Sequence, residues 1–497
     1  MRKVRVCLWL LTFALFWGGV RAGERCRFVP CPPAEKLPQK GVEAEGRYPP
    51  LPNEGLLPEE RGEEFVPWRE WATAPELWTV LGLRGYSVMG LKRPKGCRLR
   101  GGEGVLEAGL LFRKPHFFSE KWTLEGYALL KGGLYDFIHD EHRTLFLDLK
   151  EFKLILEDPL LRLPFKWTVT IGRQYVAEDT GQWYRNYLDA LRVDYQKGRW
   201  GAYFIGATRF EDYRVSNSEE SVDLKHHFYA LGRIYYRDWF KGFWGELLYE
   251  RTNPDRKRHY PFYESVVPDN RLLWLNLSGR MRWASGLEAW AVFSKLWGRT
   301  EDVKTAMRRS CSGERLVVDN DRIWADGYLW ELGLKYKDEV KGLGLVVLRA
   351  GGDDLYVQPR LANNRRILFG WERFRAFGDL LHPRLQNLFL WGLFGGVKLP
   401  RVFKGEAWLE ALFMDYARLE DKRPLRISRY TAGSLDRNGE HLGDELDVIF
   451  EWKRRAPSKK LFFRLVGAYF WPGEAFYSDK PAYKIYFSVR WFFRHDL

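Results

Sequence analysis

Isolated arginines lie among apolar and aromatic residues in several short stretches of this sequence. Arg464 follows two phenylalanines in "KLFFRLVGAYF", and Arg490 lies within "IYFSVRWFF". A guanidinium group is planar and holds a carboxylate through two hydrogen bonds, so such residues around one passage would bind and select anions. They could instead pair with carboxylates that line the same passage and only stiffen its wall. Basic residues at comparable positions are Arg173, Arg192, Arg280, Arg282 and Lys335.

The residues around these cations alternate with a period of two, which indicates β-strands. In the C-terminal "AYKIYFSVRWFFRHDL", bulky apolar side chains occupy the odd positions from Tyr483 to Phe493. Lys484, Ser488 and Arg490 occupy even positions. Similar alternation occurs in "KWTVTIG", "LWELGLKYK" and "ELDVIFEWK". Each strand therefore has one apolar face and one polar or mixed face.

The connections between these strands distinguish a membrane barrel from a soluble sheet. Counting the alternating runs gives roughly eighteen strands, most of them near the length that crosses a bilayer when tilted. Short turns such as "QKGR", "FKG", "ASG", "DEVKG" and "RRAPSKK" alternate with long polar connections at about 211–226, 252–271, 299–327, 352–385 and 418–442. A soluble sandwich has no reason to make every second connection long, whereas a barrel with periplasmic turns and external loops does.

We therefore expect an all-β fold, a transmembrane antiparallel β-barrel over residues 76–497 with short periplasmic turns and long extracellular loops. The last strand should close the barrel against the first. Its odd-numbered residues should face lipid, while Lys484, Ser488 and Arg490 should face a wet lumen.

Composition agrees with such a barrel. Aromatic residues make up 16% of the chain, with 23 Trp and 25 Tyr, yet the mean hydropathy is −0.41. Large apolar residues interleaved with charges are what an aromatic-girdled barrel requires. The formal net charge is +15, so an anionic surface or solute is the expected partner and nucleic acid is not.

The N-terminal region has the features of an export signal followed by a tail. Residues 1–22 combine a basic start, a short apolar stretch and small residues around Ala22, which predicts a secretory signal peptide. Removing its four basic residues leaves a net charge of +11. Residues 23–75 are rich in Pro and Glu without periodicity, which predicts an extended periplasmic tail. The expected location is the outer membrane of a Gram-negative-type bacterium.

The sequence contains no recognisable pattern for catalysis or metal binding. It has no "GxSxG" elbow, phosphate loop or usual zinc-ligand spacing, so we expect neither enzymatic activity nor a cofactor nor a metal site. Cys26 and Cys31 are predicted to close a small loop in the tail, and Cys97 and Cys311 fall in predicted external loops. Spacing alone does not fix the pairing of these cysteines.

The alternation changes phase in "LFLDLKEFKLIL". Residues 145–149 carry leucine at odd positions, whereas the apolar residues after Lys150 occupy even positions. A β-bulge near Lys150 would account for the change, and so would a strand end. The aromatic residues Trp183, Phe470 and Trp471 fit either an interfacial girdle or surfaces that stack on sugar rings.

Five segments resemble, in order, those of the alginate export family of outer-membrane porins. "IGRQYVAEDTGQWYRNYLDALRVDY", from Ile171 to Tyr195, combines a Gly-Arg-Gln strand end, an acidic Gly-Gln-Trp loop and an "LDALR" strand. It is followed by "TRFEDYR", "RFRAFGDLLHPRLQNLF", "GDELDVIFEWK" and "FRLVGAYFWPGEAFY". The resemblance runs from about Glu141 to Phe493. It implies a monomeric barrel of about eighteen strands whose basic lumen lets an anionic uronate polymer leave the cell.

The resemblance also assigns lumen positions. Arg373 and Arg464 stand where the family has lumen arginines, and Asp212 matches an acidic position after "TRF". Lys150 and Glu151 form a basic–acidic pair in "LKEF". With the residues taken from the alternation, the candidate substrate path comprises Arg173, Arg373, Arg464, Lys150, Glu151, Asp212, Arg192, Arg280 and Arg490.

Four positions depart from the family pattern and alter the charge expected in the constriction. Tyr175 and His382 replace arginines, Arg185 replaces an aspartate, and Ser488 replaces a lumen aspartate. A basic constriction is still expected, and Arg173, Arg373 and Arg464 are predicted to project inward toward one level of it.

The sequence therefore predicts an outer-membrane porin for passive export of an alginate-like polyuronate. A general anion-selective uptake porin and a plugged structural or adhesive barrel remain open as alternatives. The expected partners are outer-membrane lipid, an anionic polysaccharide or small anions, and periplasmic export components.

Overall fold

The computed structural model describes residues 76–92, 98–119, 121–137, 140–157, 166–178, 182–208, 214–216, 227–237, 241–252, 257–260, 263–266, 270–306, 316–351, 355–359, 361–362, 364–370, 374–420, 425, 427–428, 431, 435, 439–456 and 459–495. All of them belong to one compact unit. The predicted signal peptide and tail, and all the cysteines discussed above, lie outside these ranges.

The described residues form the following strands. The first twelve are β1 (Glu76–Lys92), β2 (Arg98–Pro115), β3 (Trp122–Phe137), β4 (Asp140–Glu157), β5 (Lys166–Ala177), β6 (Arg185–Lys197), β7 (Trp200–Thr208), β8 (Arg214–Ser216), β9 (His227–Arg237), β10 (Lys241–Thr252), β11 (Lys257–Tyr260) and β12 (Tyr263–Val266). The others are β13 (Arg271–Arg282), β14 (Leu287–Ala306), β15 (Leu316–Ala325), β16 (Tyr328–Lys337), β17 (Lys341–Ala350), β18 (Arg365–Arg366), β19 (Phe374–Arg375), β20 (Leu388–Val402), β21 (Gly405–Arg418), β22 (His441–Ala456), β23 (Lys459–Pro472) and β24 (Ala482–His495).

Eighteen of the described strands form a closed antiparallel barrel. The barrel closes where β1 pairs with β24, in a register that runs from Leu77–His495 to Met89–Tyr483. β8 adds to the edge of β4, and β15 pairs with the far end of β14. Within the described ranges, no helix has the length and hydropathy to cross a membrane. The predicted fold class and the closure of the last strand on the first are confirmed.

Side chains alternate between an apolar outer surface and a polar interior along the wall. In β24, Ile485 is 45% exposed, whereas its neighbour Lys484 is 5% exposed. Ser488 and Arg490 are buried in the same way, as predicted. Exposed apolar side chains recur around the barrel and form a belt that includes Leu81, Leu106, Ile171, Phe204, Ile234, Leu277, Leu343, Val448 and Leu465. Such an outward belt is what lipid requires.

The phase change near Lys150 is a β-bulge. Tyr127 of β3 pairs with Glu151 and the next residue, Ala128, pairs with Leu149, so Lys150 is the extra residue. The prediction of a bulge is confirmed. The predicted long connection at 299–327 separates the barrel strands β14 and β16, and part of it is folded as strand, because β14 continues to Ala306 and β15 begins at Leu316.

The connection between β17 and β20 is long, and its described residues lie inside the barrel. We call these described residues, 351, 355–359, 361–362, 364–370 and 374–387, the lumen loop. Arg185 of β6 donates its backbone N–H to Leu361 over 2.7 Å, and on another part of the wall Trp274 of β13 donates to the Val357 carbonyl over 2.9 Å. Its apolar side chains are buried within the lumen, among them Phe369, Phe377, Leu380, Leu381 and Leu385. The prediction of a long external connection at 352–385 is wrong for the described residues of that range, because their apolar side chains gain more from burial inside the barrel than from exposure to water.

Candidate functional site

A mixed-charge network lines the inner wall of β1–β4. Glu107 of β2 lies 3.5 Å from Arg84 Nε and 3.4 Å from Lys131 Nζ. Arg490 and Lys150, two of the predicted path residues, also act electrostatically on this carboxylate. The structure thus brings two predicted cations from opposite ends of the sequence toward one buried glutamate.

Other predicted residues of this part of the wall are held in pairs. Glu151 is buried on β4 and accepts a hydrogen bond from Lys153 Nζ at 2.5 Å. Arg173 is buried on β5 and forms an ion pair with Asp189 of β6 at 3.4 Å. Glu151 thus has an ammonium partner and Arg173 has a carboxylate partner. Such pairs are expected if the charges of the wall only stiffen it.

Two of the predicted residues, Arg373 and Asp212, lie outside the described residues. The expectation that Arg173, Arg373 and Arg464 share one level of the lumen therefore remains a prediction. Arg464 itself is buried on β23, with its Nε 3.8 Å from Glu451 of β22.

Carboxylates of the wall hold the backbone of the lumen loop. Glu410 of β21 accepts hydrogen bonds from the Phe369 N–H at 3.0 Å and from the Gly370 N–H. The carbonyl of Phe369 accepts from Lys337 Nζ at 2.6 Å. Lys337 is the last residue of β16, so this part of the loop reaches the end of the barrel that carries the short turns. Gly342 leaves space for the Phe369 ring, since a Cβ there would lie 2.2 Å from it.

The returning half of the loop is held in the same manner. Glu445 of β22 accepts from the N–H groups of Leu380 at 2.6 Å and Leu381 at 2.9 Å. Asp447, two residues along the same face, accepts from the Asp379 N–H at 3.0 Å. Glu445 and Asp447 thus serve as docking points for the loop.

An ion pair also attaches the loop to the wall. Glu331 of β16 is fully buried and accepts two hydrogen bonds from Arg366, at 2.5 and 2.6 Å. The same carboxylate accepts from the indole N–H of Trp290 at 2.5 Å and from Gln182. A forked arginine–carboxylate pair of this kind is geometrically specific as well as strong.

A cluster of guanidinium groups lies where the lumen loop meets β23. Arg365 and Arg375 come from the loop and Arg464 comes from the wall. Burial lowers the pKa of Arg365 to about 10, and the neighbouring Arg375 and Arg464 charges contribute in the same direction. Asp379 compensates part of this charge, because its carboxylate lies 3.6 Å from Arg375 and 3.1 Å from Lys484 of β24. Burial would raise the pKa of Asp379, but these cations outweigh that effect and lower it.

A second group of cations lies among aromatic rings on β6, β7, β9 and β10. We call Arg192, Tyr203, Arg233, Tyr235 and Trp244 the aromatic patch. The Arg233 guanidinium lies 5.9, 5.6 and 5.1 Å from the ring centroids of Tyr203, Tyr235 and Trp244. Arg192, a predicted path residue, lies 4.6 Å from the Tyr203 centroid.

Next to the aromatic patch, Arg280 faces the lumen from β13. It is half-buried and pairs in register with Gly242 and Trp290. Near it, Glu288 lies 2.6 Å from Arg282 and 3.7 Å from Lys335. The predicted cations of this wall segment therefore line the lumen close to the short turn at 283–286.

The three aromatic residues considered for sugar stacking divide between two environments. Trp183 and Phe470 are buried, whereas Trp471 is 43% exposed on the outer surface beside Tyr469. Trp471 thus fits the girdle interpretation. Also on the outer surface, ligand atoms of Asp415, His441 and Asp444 lie within 4.8 Å of one another, a set that could hold a metal ion.

The main residues that sequence reasoning missed belong to the lumen loop, to the wall carboxylates that hold it and to the aromatic patch. The period-two pattern locates wall residues but does not show where a connection folds. The signal was present in the apolar content of "RRILFGWERFRAFGDLL", which is high for an external loop. The missed residues are Glu331, Arg365, Arg366, Arg375, Glu410, Tyr203, Arg233, Tyr235 and Trp244.

Comparison with known proteins finds two curated relatives with related names. The chain is 24% identical over 238 residues to Alginate production protein AlgE of Pseudomonas syringae pv. tomato, covering 45% of this chain and 47% of that protein. It is 23% identical over 356 residues to Alginate production protein AlgE of Pseudomonas aeruginosa, covering 65% of this chain and 70% of that protein. The match thus spans about half the length of the first relative. No protein-family model matches the chain.

Among solved structures, the fold is similar to Acinetobacter baumannii OccAB4, with a TM-score of 0.49, 10% identity, and coverage of 85% of this chain and 99% of that chain. It is also similar to the outer membrane protein OprD from Pseudomonas aeruginosa, with a TM-score of 0.48, 10% identity, and coverage of 85% and 94%.

The closed barrel, its apolar belt and its charged interior have the architecture of an outer-membrane porin. The predicted location in the outer membrane and the predicted resemblance to the alginate export family are confirmed.

Proposed function

We propose that this porin exports an anionic polysaccharide, an alginate-like polyuronate, passively through its basic lumen. The observation that carries the proposal is the gathering of Arg365, Arg375 and Arg464 inside the barrel. Asp379 and Glu451 compensate part of this positive charge, and a basic cluster inside a lumen attracts anions from solution. A polymer with one carboxylate per sugar supplies such anions repeatedly along its length. The names of the two curated relatives favour alginate as the type of polymer.

The chemistry of transfer follows from the mixture of charges. An arginine fork can take up a uronate carboxylate in two hydrogen bonds, while wall carboxylates near it keep the attraction moderate. Conduction requires binding that is favourable enough for entry and weak enough for exit. Passage needs no covalent step, and the side chains act only by attraction, repulsion and exchange of hydrogen bonds.

A plugged structural or adhesive barrel is the second candidate, and the lumen loop favours it. The loop is held along both halves, and Phe369 lies at the short-turn end of the barrel. In that case the carboxylates of the wall would serve only to keep the lumen filled.

Planar-bilayer recording separates these functions. We expect an anion-selective conductance that is blocked by polymannuronate but not by a neutral polysaccharide of equal length. Block by small anions alone would indicate a general uptake porin, and absence of conductance would indicate a plugged barrel.

Charge reversal tests the mechanism directly. In the double variant Arg365→Glu with Arg464→Glu, we expect the preference for anions to fall by about fivefold or more, since each misplaced charge changes the energy of a passing ion by about 1 kcal/mol even with strong screening. The matched control reverses two outward-facing arginines, Arg271→Glu with Arg349→Glu, and should change selectivity little. Unchanged selectivity in the first variant would mean that the two lumen arginines are struts of the wall and loop.

A further inference from the structure

The aromatic patch lies on the lumen side of the wall. Its residues alternate along the strands with Phe204, Ile234 and Phe243, which are exposed on the outer surface. Tyr203 pairs in register with Arg233, and Tyr235 pairs with Trp244, so the patch forms two adjoining rows across β7, β9 and β10.

The position of the patch relative to the membrane follows from the turns. β7 begins at Trp200 after the tight turn at 198–199, and β9 ends at Arg237. Tyr203 and Tyr235 are each within a few residues of these strand ends. Short turns of outer-membrane barrels face the periplasm, so the patch lines the periplasmic mouth of the lumen.

The rings of the patch are partly exposed, although Tyr203 also packs against the buried core. Tyr203, Tyr235 and Trp244 are half-buried. Tyr229 and Tyr416, by contrast, are 1% and 0% exposed and fill the packed core. Rings that only filled space between the wall and the lumen loop would be buried to a similar extent.

The charges of the patch are already balanced within the wall. Asp194 accepts two hydrogen bonds from Arg192, at 2.7 and 2.6 Å, and Glu246 lies 3.4 Å from Arg233. A guanidinium group has five N–H donors, so the Arg192 fork retains donors beyond those that Asp194 accepts. The patch therefore offers flat apolar surfaces, a few polar groups and only a mild positive potential.

From this geometry we infer that the aromatic patch is a saccharide-binding subsite at the periplasmic mouth, where one sugar ring of a polyuronate stacks on Tyr235 and Trp244 and a carboxylate of the same polymer meets Arg192. The inference rests on the proposed export function and extends it to a point of entry. A pyranose ring has an apolar face of C–H groups that suits an aromatic surface, and its hydroxyl groups suit Asp194 as acceptor. Balanced charges suit a site that must release its ligand quickly, since an unpaired arginine cluster at the mouth would retain a polyanion.

The test is the side dependence of block in planar bilayers, with a mannuronate hexasaccharide as the probe. In the variant Tyr235→Leu with Trp244→Leu, we expect the concentration for half-block from the short-turn side to rise about tenfold, because two stacking surfaces are lost. Block from the long-loop side of the same channel should rise less, so the ratio of the two concentrations is the readout. Leucine keeps the positions apolar, and each single variant provides the same test if the double variant does not assemble.

The matched control is Phe204→Leu with Phe243→Leu, which removes two aromatic rings from the outer surface of the neighbouring positions. It should leave the ratio as in the wild type. An equal ratio in the patch variant and the control would overturn the subsite while leaving export intact. Failure of the hexasaccharide to block the wild-type channel from either side would instead overturn the proposed export function, and the subsite with it.

Discussion

Among the described residues of the interior, many charged side chains lie near a charge of opposite sign. His382 of the lumen loop departs from this pattern, because the charged groups around it include more cations than anions. Burial lowers the pKa of its imidazole well below the usual value, and Arg375, Arg365 and Lys484 lower it further, while Asp379 acts in the opposite direction. The residue is therefore neutral at pH 7 within the docked loop.

This shift predicts that acid weakens docking of the lumen loop. The docked imidazole binds a proton less readily than a solvated one, so docking is fully favoured above about pH 6.5 and loses stability as the pH falls below that value. We expect opening of residues 376–387, measured by hydrogen exchange corrected for the intrinsic rate, to increase by up to about tenfold per pH unit below this point. His382 has a φ of 42°, so His382→Asn, a residue that tolerates this conformation, is the suitable control. The same pH response in both proteins would exclude His382 as its origin.

At the scale of elements, the lumen loop is held by wall carboxylates rather than by a sheet. Its two short strands, β18 and β19, pair only with each other. Several attachments are carboxylates of β16, β21 or β22 that accept from the loop, and Glu331 is the most buried of these carboxylates. Lys337, Arg185 and Trp274 of the wall donate to loop carbonyls. The position of the loop therefore depends on a small number of side chains.

Replacement of one of these carboxylates should loosen the nearby part of the loop. In Glu331→Gln, the Arg366 guanidinium loses its counter-charge, and removing one partner of a buried ion pair costs about 3–5 kcal/mol. We expect faster hydrogen exchange over residues 364–370 and a larger single-channel conductance. The control is Glu339→Gln, an exposed change in a short turn. If the two variants gave the same exchange and conductance, Glu331 would have no role in holding the loop.

The sequence predicted the wall far better than the lumen loop, for a physical reason. Alternation reports which residues of a strand meet lipid, and for Lys484, Ser488 and Arg490 it gave the correct face. A phase change marked the bulge at Lys150, because an extra residue must reverse the pattern. The path of the lumen loop depends instead on contacts with strands distant in sequence, such as that between Arg366 and Glu331, and no local periodicity encodes them.

At the scale of the whole molecule, the apolar belt predicts how the barrel responds to a charge on its outer surface. Leu465 lies near the middle of β23 and is 41% exposed. The variant Leu465→Arg should lose about 2–4 kcal/mol of unfolding free energy, the cost of an arginine near the bilayer midplane. Denaturant titration in lipid vesicles measures this loss. Val340→Arg, in an exposed short turn, should lose much less, and equal losses would mean that the belt does not contact the lipid interior.

The ends of the lumen loop lie side by side in the wall. Ala350, the last residue of β17, pairs directly with Leu388, the first residue of β20. The lumen loop therefore starts and finishes at one rung of the ladder, and the hydrogen bonds between β17 and β20 would persist if the loop were shortened to a hairpin turn. The barrel wall and the lumen loop can consequently diverge independently in evolution. Insertions, deletions and substitutions between these two residues can retune what the barrel admits without affecting its ability to fold into the membrane.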